Sequence, residues 1–172
     1  RVQARYPGAR VVHRLDMSTS GLLVLALDAD IQRALGRQFE LRQVDKRYVA
    51  VVAGRVADME RTIDLPLITD WPNRPRQIVD FVRGKPALTR LQVLAYAAAS
   101  DTTRVQLMPE TGRSHQLRVH LQAIGHPILG DDLYAPPARL DQAPRLMLHA
   151  AFLAFTHPRS AMRLAVDSPP PF

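Results

Sequence analysis

Between Lys46 and Met108 the chain reads as four strand-like segments with no helical stretch among them, and this constrains the fold more than any other feature. The segments are Lys46 to Ala53 (KRYVAVVA), Gln77 to Val82, Ala87 to Tyr96 and Thr103 to Met108. The first is rich in β-branched residues and closed by Gly54. The last alternates, with Val105 and Leu107 on one face and Arg104 and Gln106 on the other. Parallel βαβ units need a long crossover between successive strands, so consecutive strands joined by short turns predict an α+β fold with a mostly antiparallel sheet. The proline-rich stretch Leu65 to Pro75 (LPLITDWPNRP) must be a loop or a sheet edge, because each proline removes a backbone donor.

On either side of this block the pattern is mixed. Gly21 to Leu27 (GLLVLAL) is a short apolar run of the kind that forms a buried strand. Asp28 or Asp30 can cap a helix reaching about Leu41, with Ile31, Leu35 and Phe39 spaced four apart on one face. Ser114 can cap a second helix running to Ile124, where Gly125 supplies a left-handed stop. Its apolar stripe is Leu117, Leu121 and Ile124, while Arg118 and Gln122 share another face. A Pro/Gly-rich connection, Pro127 to Pro144, leads to a buried strand at Leu146 to Thr156 and a short last segment at Met162 to Val166. One domain of 172 residues accommodates all of this. The opening Arg5-Tyr6-Pro7-Gly8 is polar and turn-like, and the expectation is that residues precede Arg1 in the native protein.

Charge and composition narrow the function. Basic residues outnumber acidic ones by 23 to 16, a formal +7, which favours a polyanionic partner because each neutralised phosphate releases condensed counterions. The absence of cysteine excludes disulfides, thiolate metal sites and cysteine nucleophiles. No apolar run approaches the roughly 20 residues that span a bilayer, and the start carries no signal-peptide pattern, so a cytoplasmic protein away from membranes is expected. There is no P-loop, GxGxxG or GxSxG motif.

Three places could carry chemistry. Asp16 lies in His13-Arg14-Leu15-Asp16-Met17-Ser18-Thr19-Ser20-Gly21, a turn leading into the GLLVLAL run. Such a carboxylate can face a cleft, or it can accept hydrogen bonds from the amides of Ser18 and Thr19 as an ordinary Asx-turn. The segment Glu110 to His120 (ETGRSHQLRVH) gathers Arg113, His115 and Arg118 at a helix start, where free amides attract anions; a solvated helix start is the alternative. His115 and His120 are five apart, not the four that places two metal ligands on one helical face. Tyr48 could be a catalytic aromatic or part of the core. His13, His149 and His157 fit no triad or metal spacing and read as structural or surface residues.

Taken together, and in this order, the segments HRLDMSTSGLLVLA, RYVAVV, TGRSHQLRVHLQAIGHPILGDDLY and RLMLHA resemble the motifs of the RluA-type RNA pseudouridine synthases, over Arg10 to about Pro158. The resemblance implies that family's fold, a mostly antiparallel mixed sheet flanked by helices and loops. It implies that Asp16 is the catalytic aspartate and a nucleophile, that Tyr48 stacks on the target uracil, and that Arg118 meets Asp16 and holds its charge and geometry. No cofactor or metal is expected. Arg14 is a candidate to fill the space left by a flipped nucleotide, and Arg113, His115, Arg74 and Arg76 are candidates for substrate binding. The stretch Asp64 to Gln77 (DLPLITDWPNRPRQ) resembles the branch of the family that modifies both a 23S rRNA hairpin and the anticodon loop of certain tRNAs, so an RNA stem-loop is the expected partner, met by a monomer. The family's upstream Lys-Pro-x-Gly block and any S4-type RNA-binding domain are absent, so residues 1–172 read as a catalytic domain lacking its N-terminal part. Two rivals remain at this point: a non-catalytic RNA-binding module on the same fold, and a metal-dependent nuclease using Asp16, Asp131, Asp132 and histidines.

Overall fold

A computed structural model describes residues 2–172. In chain order the elements are α1 (Val2–Arg5), β1 (Arg10–Val11), β2 (Ser20–Gly21), β3 (Leu25–Ala26), α2 (Ala29–Glu40), β4 (Asp45–Ala53), β5 (Glu60–Asp64), β6 (Leu67–Thr69), a 3-10 turn (Trp71–Asn73), β7 (Gln77–Val79), β8 (Leu88–Ala97), β9 (Thr102–Pro109), α3 (Gln116–Ala123), α4 (Pro137–Leu140), β10 (Leu148–Thr156) and β11 (Arg163–Asp167). The main sheet runs β11-β10-β4-β9-β8-β5, every neighbouring pair antiparallel, and β2 adds a short parallel pairing to β10. This is the α+β class with a mostly antiparallel sheet that the run of strands predicts.

The alternation in β9 sets the core. Val105 and Leu107 are fully buried with Ala50, Val52, Leu91 and Leu148 of the neighbouring strands, and Leu117 and Leu121 of α3 pack onto them. Each large apolar side chain buried this way stabilises the fold by about 1.5–3 kcal/mol. A second cluster joins Leu35 of α2 to Ala26, Val44, Leu153 and Phe155. A third docks the β6–β7 hairpin on α3 through Leu67, Val119 and Tyr134.

Three expectations need correction. The GLLVLAL run is not one strand: only Ser20–Gly21 and Leu25–Ala26 pair, with different partners, and Leu23 and Leu27 are exposed. Gly21, at φ 105°, turns the chain out of an extended path. The strand from Gln77 stops at Val79, because the Asp80 carboxylate accepts the amides of Val82 and Arg83 and closes a turn. The residue before α3 is His115, in the left-handed region at φ 53°, not Ser114. Gln116 stabilises that turn instead, its Oε1 accepting from Arg113 N at 3.0 Å and from Thr111 Oγ1 at 2.7 Å. By contrast, Asp28 caps α2 through Ile31 N, and Gly125 ends α3 at φ 86°.

Candidate active site

The loop carrying Asp16 is fastened at both ends. At its start His13 stacks on Phe39 with ring centroids 4.5 Å apart, and its Nε2 accepts the Val24 amide at 3.1 Å. At its end Ser20 Oγ hydrogen-bonds His149 Nδ1 at 2.8 Å, and the Leu22 amide donates to Ala150 O at 3.0 Å. Gly21 lies so close to β10 that a Cβ there would sit 2.3 Å from Ala150 O. Within the loop, Thr19 N donates to the main-chain carbonyl of Asp16 at 2.9 Å. The turn is therefore made by backbone, and the half-buried Asp16 carboxylate has no hydrogen-bond partner among the described residues. The Asx-turn alternative does not hold.

Asp16 lines a cleft of about 550 Å³ together with His13, Arg14, Lys46, Tyr48 and Arg113. Tyr48 comes from β4, where it pairs with Leu107 of β9 and Ala150 of β10. Burial, with the Asp16 charge adding to it, pushes the Tyr48 phenol up to about 12. It is a neutral hydroxyl across the physiological range. Burial, with the Lys46 charge, lowers His13 to about 4, so this ring is uncharged as well. With Nε2 accepting, the His13 proton resides on Nδ1.

Arg118 departs from the expectation. Its guanidinium grips Asp131 in a bidentate pair, Nε to Oδ2 at 2.8 Å and NH2 to Oδ1 at 2.6 Å, and reaches Asp132 Oδ1 at 3.0 Å. Arg118 and Asp131 are 4% and 0% exposed, and Tyr134 lies 5.1 Å from the guanidinium carbon. No ion pair within 4.0 Å joins Arg118 to Asp16 among the described residues. Burial works against the Arg118 charge, yet the hydrogen bond and charge of Asp131, with the charges of Asp16 and Asp132, raise its pKa overall. The physical reason is local: Asp131 already accepts the Leu133 and Tyr134 amides, which fixes a carboxylate beneath α3 and presents it to Arg118. Asp16 acts on Arg118 through space, without contact. With Asp131 and Asp132 engaged in this way, the carboxylates required by the nuclease alternative are not free to gather around Asp16.

The other sequence candidates divide into two groups. Arg14 and Arg113 line the cleft, Arg113 with its Nε donating to Pro86 O at 3.0 Å. His115, Arg74 and Arg76 do not line it. His115 Nδ1 hydrogen-bonds Tyr134 Oη at 2.7 Å, and burial is the main cause of its lowered pKa. Arg76 stands over the same tyrosine ring at 5.4 Å, and Arg74 stacks on Trp71 at 4.6 Å on the hairpin. Sequence reasoning missed His13 and Lys46 as cleft residues, and Asp131, Asp132 and Tyr134 as the partners of Arg118. The GDDLY segment, two carboxylates and an aromatic following the helix, carried a signal for the latter. His13 had none beyond its place beside Arg14.

Comparison with known proteins bears on the same residues. A family model described as RNA pseudouridylate synthase matches residues 3–123, which include Asp16, Tyr48 and Arg118. The chain belongs to that family. RNA pseudouridylate synthases are isomerases that convert uridine to pseudouridine in RNA. The chain is 53% identical over 172 residues to the dual-specificity RNA pseudouridine synthase RluA of Escherichia coli K12, and 52% identical to that of Pasteurella multocida Pm70, covering 100% of this chain and 78% of each relative. The solved structure of human RNA pseudouridylate synthase domain containing 1 superposes with a TM-score of 0.87 at 37% identity, covering 99% of this chain and 73% of the human one. The antiparallel sheet that carries the cleft is thus that of a pseudouridylate synthase.

Proposed function

We propose that this pseudouridylate synthase uses Asp16 as its nucleophile on a uridine turned out of an RNA stem-loop, in 23S rRNA and in the tRNA anticodon loop. The observation that carries the reading is a half-buried carboxylate without a hydrogen-bond partner among the described residues, facing a cleft whose wall holds a neutral tyrosine. The reaction breaks the bond from ribose C1′ to uracil N1 and forms one from C1′ to C5; the C5 proton leaves and N1 takes one up. A carboxylate near C1′ and C6 can add to either and depart again, so it is regenerated in each turnover. The Tyr48 ring supplies a stacking surface for the uracil, and its protonated hydroxyl can pass the C5 proton on but cannot hold a negative charge at neutral pH. Arg118 acts beneath the cleft, locking the Asp131–Tyr134 segment to α3, while Arg14 and Arg113 meet phosphates at its mouth.

The substrate assignment rests on the dual-specificity relatives and on the hairpin sequence Asp64 to Gln77, with Arg74 and Arg76 on the hairpin as further contacts. The same reading has the protein acting as a monomer in the cytoplasm, without a cofactor, its catalytic domain spanning residues 1–172. No helix among the described residues is long and apolar enough to cross a membrane. Asp16→Asn should leave no pseudouridine detectable by nucleoside chromatography of digested RNA, at an unfolding midpoint close to wild type, since a polar loop residue contributes little to stability. Measurable turnover by that variant would sink the assignment.

A further inference from the structure

The ladder between β4 and β9 ends early. It runs from Ala53↔Thr102 to Tyr48↔Leu107 and goes no further. Beyond Tyr48, residues 45–47 of β4 pair only with β10, while Met108 and Pro109 of β9 pair only with β8. The strands part there, and a second cleft of about 600 Å³ opens between them. It shares Phe39, Arg42, Lys46, Pro109 and Glu110 with the Asp16 cleft, so the two openings adjoin.

The charge in this opening is unbalanced. Its two carboxylates are engaged, Glu110 with Arg90 at 2.6 Å and Asp45 with Arg163. Arg42, Lys46 and Arg47 have no carboxylate within 4.0 Å among the described residues. Lys46 stands in both clefts, two residues before Tyr48 and therefore on the same face of β4. It is largely withdrawn from water, and burial lowers its pKa. An ammonium partly withdrawn from water without a counter-ion is stabilised when a ligand supplies the anion. The second cleft is also lined by Arg47 and Phe152, whose guanidinium and ring centre lie 3.7 Å apart, a flat cationic surface of the kind on which nucleobases stack.

We propose that the gap between β4 and β9 is a nucleotide subsite, in which Lys46 takes the phosphodiester beside the flipped uridine and the strand continues past Arg42 onto the Arg47–Phe152 pair. The proposal rests on the uridine entering the Asp16 cleft, and the wall shared by the two adjoining openings makes the RNA strand itself the occupant. Lys46 lies two residues, about 6–7 Å, from Tyr48 along β4, so a strand whose uridine sits against Tyr48 can bring a neighbouring phosphate to it.

The test is equilibrium binding of a fluorescein-labelled tRNA anticodon stem-loop by anisotropy, from 50 to 200 mM salt, which reads the subsite independently of turnover. Lys46→Met should weaken binding about tenfold at the lower salt and shrink the slope of log affinity against log salt by about 0.7–0.9, the loss of one phosphate contact. Lys46→Arg should restore both, and Arg47→Met should weaken binding with a smaller fall in slope, because the stacking contact it removes neutralises no phosphate. Arg33→Met, on the exposed face of α2 where Arg33 pairs with Asp30, sets the size of a generic charge effect. A Lys46→Met slope equal to wild type, or a loss no larger than that of Arg33→Met, overturns the subsite. Failure of wild-type turnover on the same RNA would instead count against the anticodon stem-loop as substrate, and the binding measurement alone would still decide the subsite.

Discussion

At the scale of single residues, the chemistry depends on which groups are charged. Tyr48 is held neutral by burial and by the Asp16 carboxylate, so as a phenolate it is negligible near pH 7. Tyr48→Phe keeps the ring and removes the proton relay. The expected outcome is RNA affinity within about twofold of wild type and a single-turnover rate lower by about 10²-fold, the lower end of acid–base effects. An unchanged rate would confine Tyr48 to stacking. Asp16, Tyr48 and Arg118 were all legible in the sequence as members of specific motifs. The partner of Arg118 was not, because the segment that supplies it, Asp131 to Tyr134, is organised by its own backbone amides and not by a pattern visible along the chain.

At the scale of elements, the loop holding Asp16 owes its position to β10. The bridge from Ser20 and Gly21 to His149 and Ala150 spans 129 residues of sequence, so no local reading of GLLVLAL could have found it. Helix α2, in contrast, is specified locally by Asp28 and the spacing of its apolar face, and it forms where expected. Gly21 carries the close approach: at φ 105°, any Cβ would strike the Ala150 carbonyl. Gly21→Ala should lower stability by about 1–3 kcal/mol in chemical denaturation. It should also reduce kcat more than tenfold under conditions where the variant remains folded, because a shift of about 1 Å in a catalytic group is that costly. A folded Gly21→Ala protein with wild-type kcat would show that Asp16 does not need this anchor.

At the scale of the whole molecule, the fold class followed from the run of strands, while the sheet order, which sets β4 between β9 and β10, required pairing that no spacing reveals. Four histidines, at 13, 115, 120 and 149, have pKa values lowered chiefly by burial, His13 to about 4. The unfolded chain takes up protons below its ordinary value near 6.5 while the native protein resists, so stability is full above 6.5 and falls as the pH drops from there towards 4. Urea midpoints measured between pH 7.5 and 4 should decline over that window, and His13→Gln should flatten part of the decline. A midpoint constant down to pH 4 would contradict the buried neutral state of these rings. The β6–β7 hairpin has a separate consequence. It holds Trp71, the chain's single tryptophan, 65% exposed at its outer end with the Arg74 guanidinium stacked on the indole. All indole fluorescence therefore originates from this one spot, giving the protein an intrinsic optical gauge of what touches its outermost hairpin, with no dye attached.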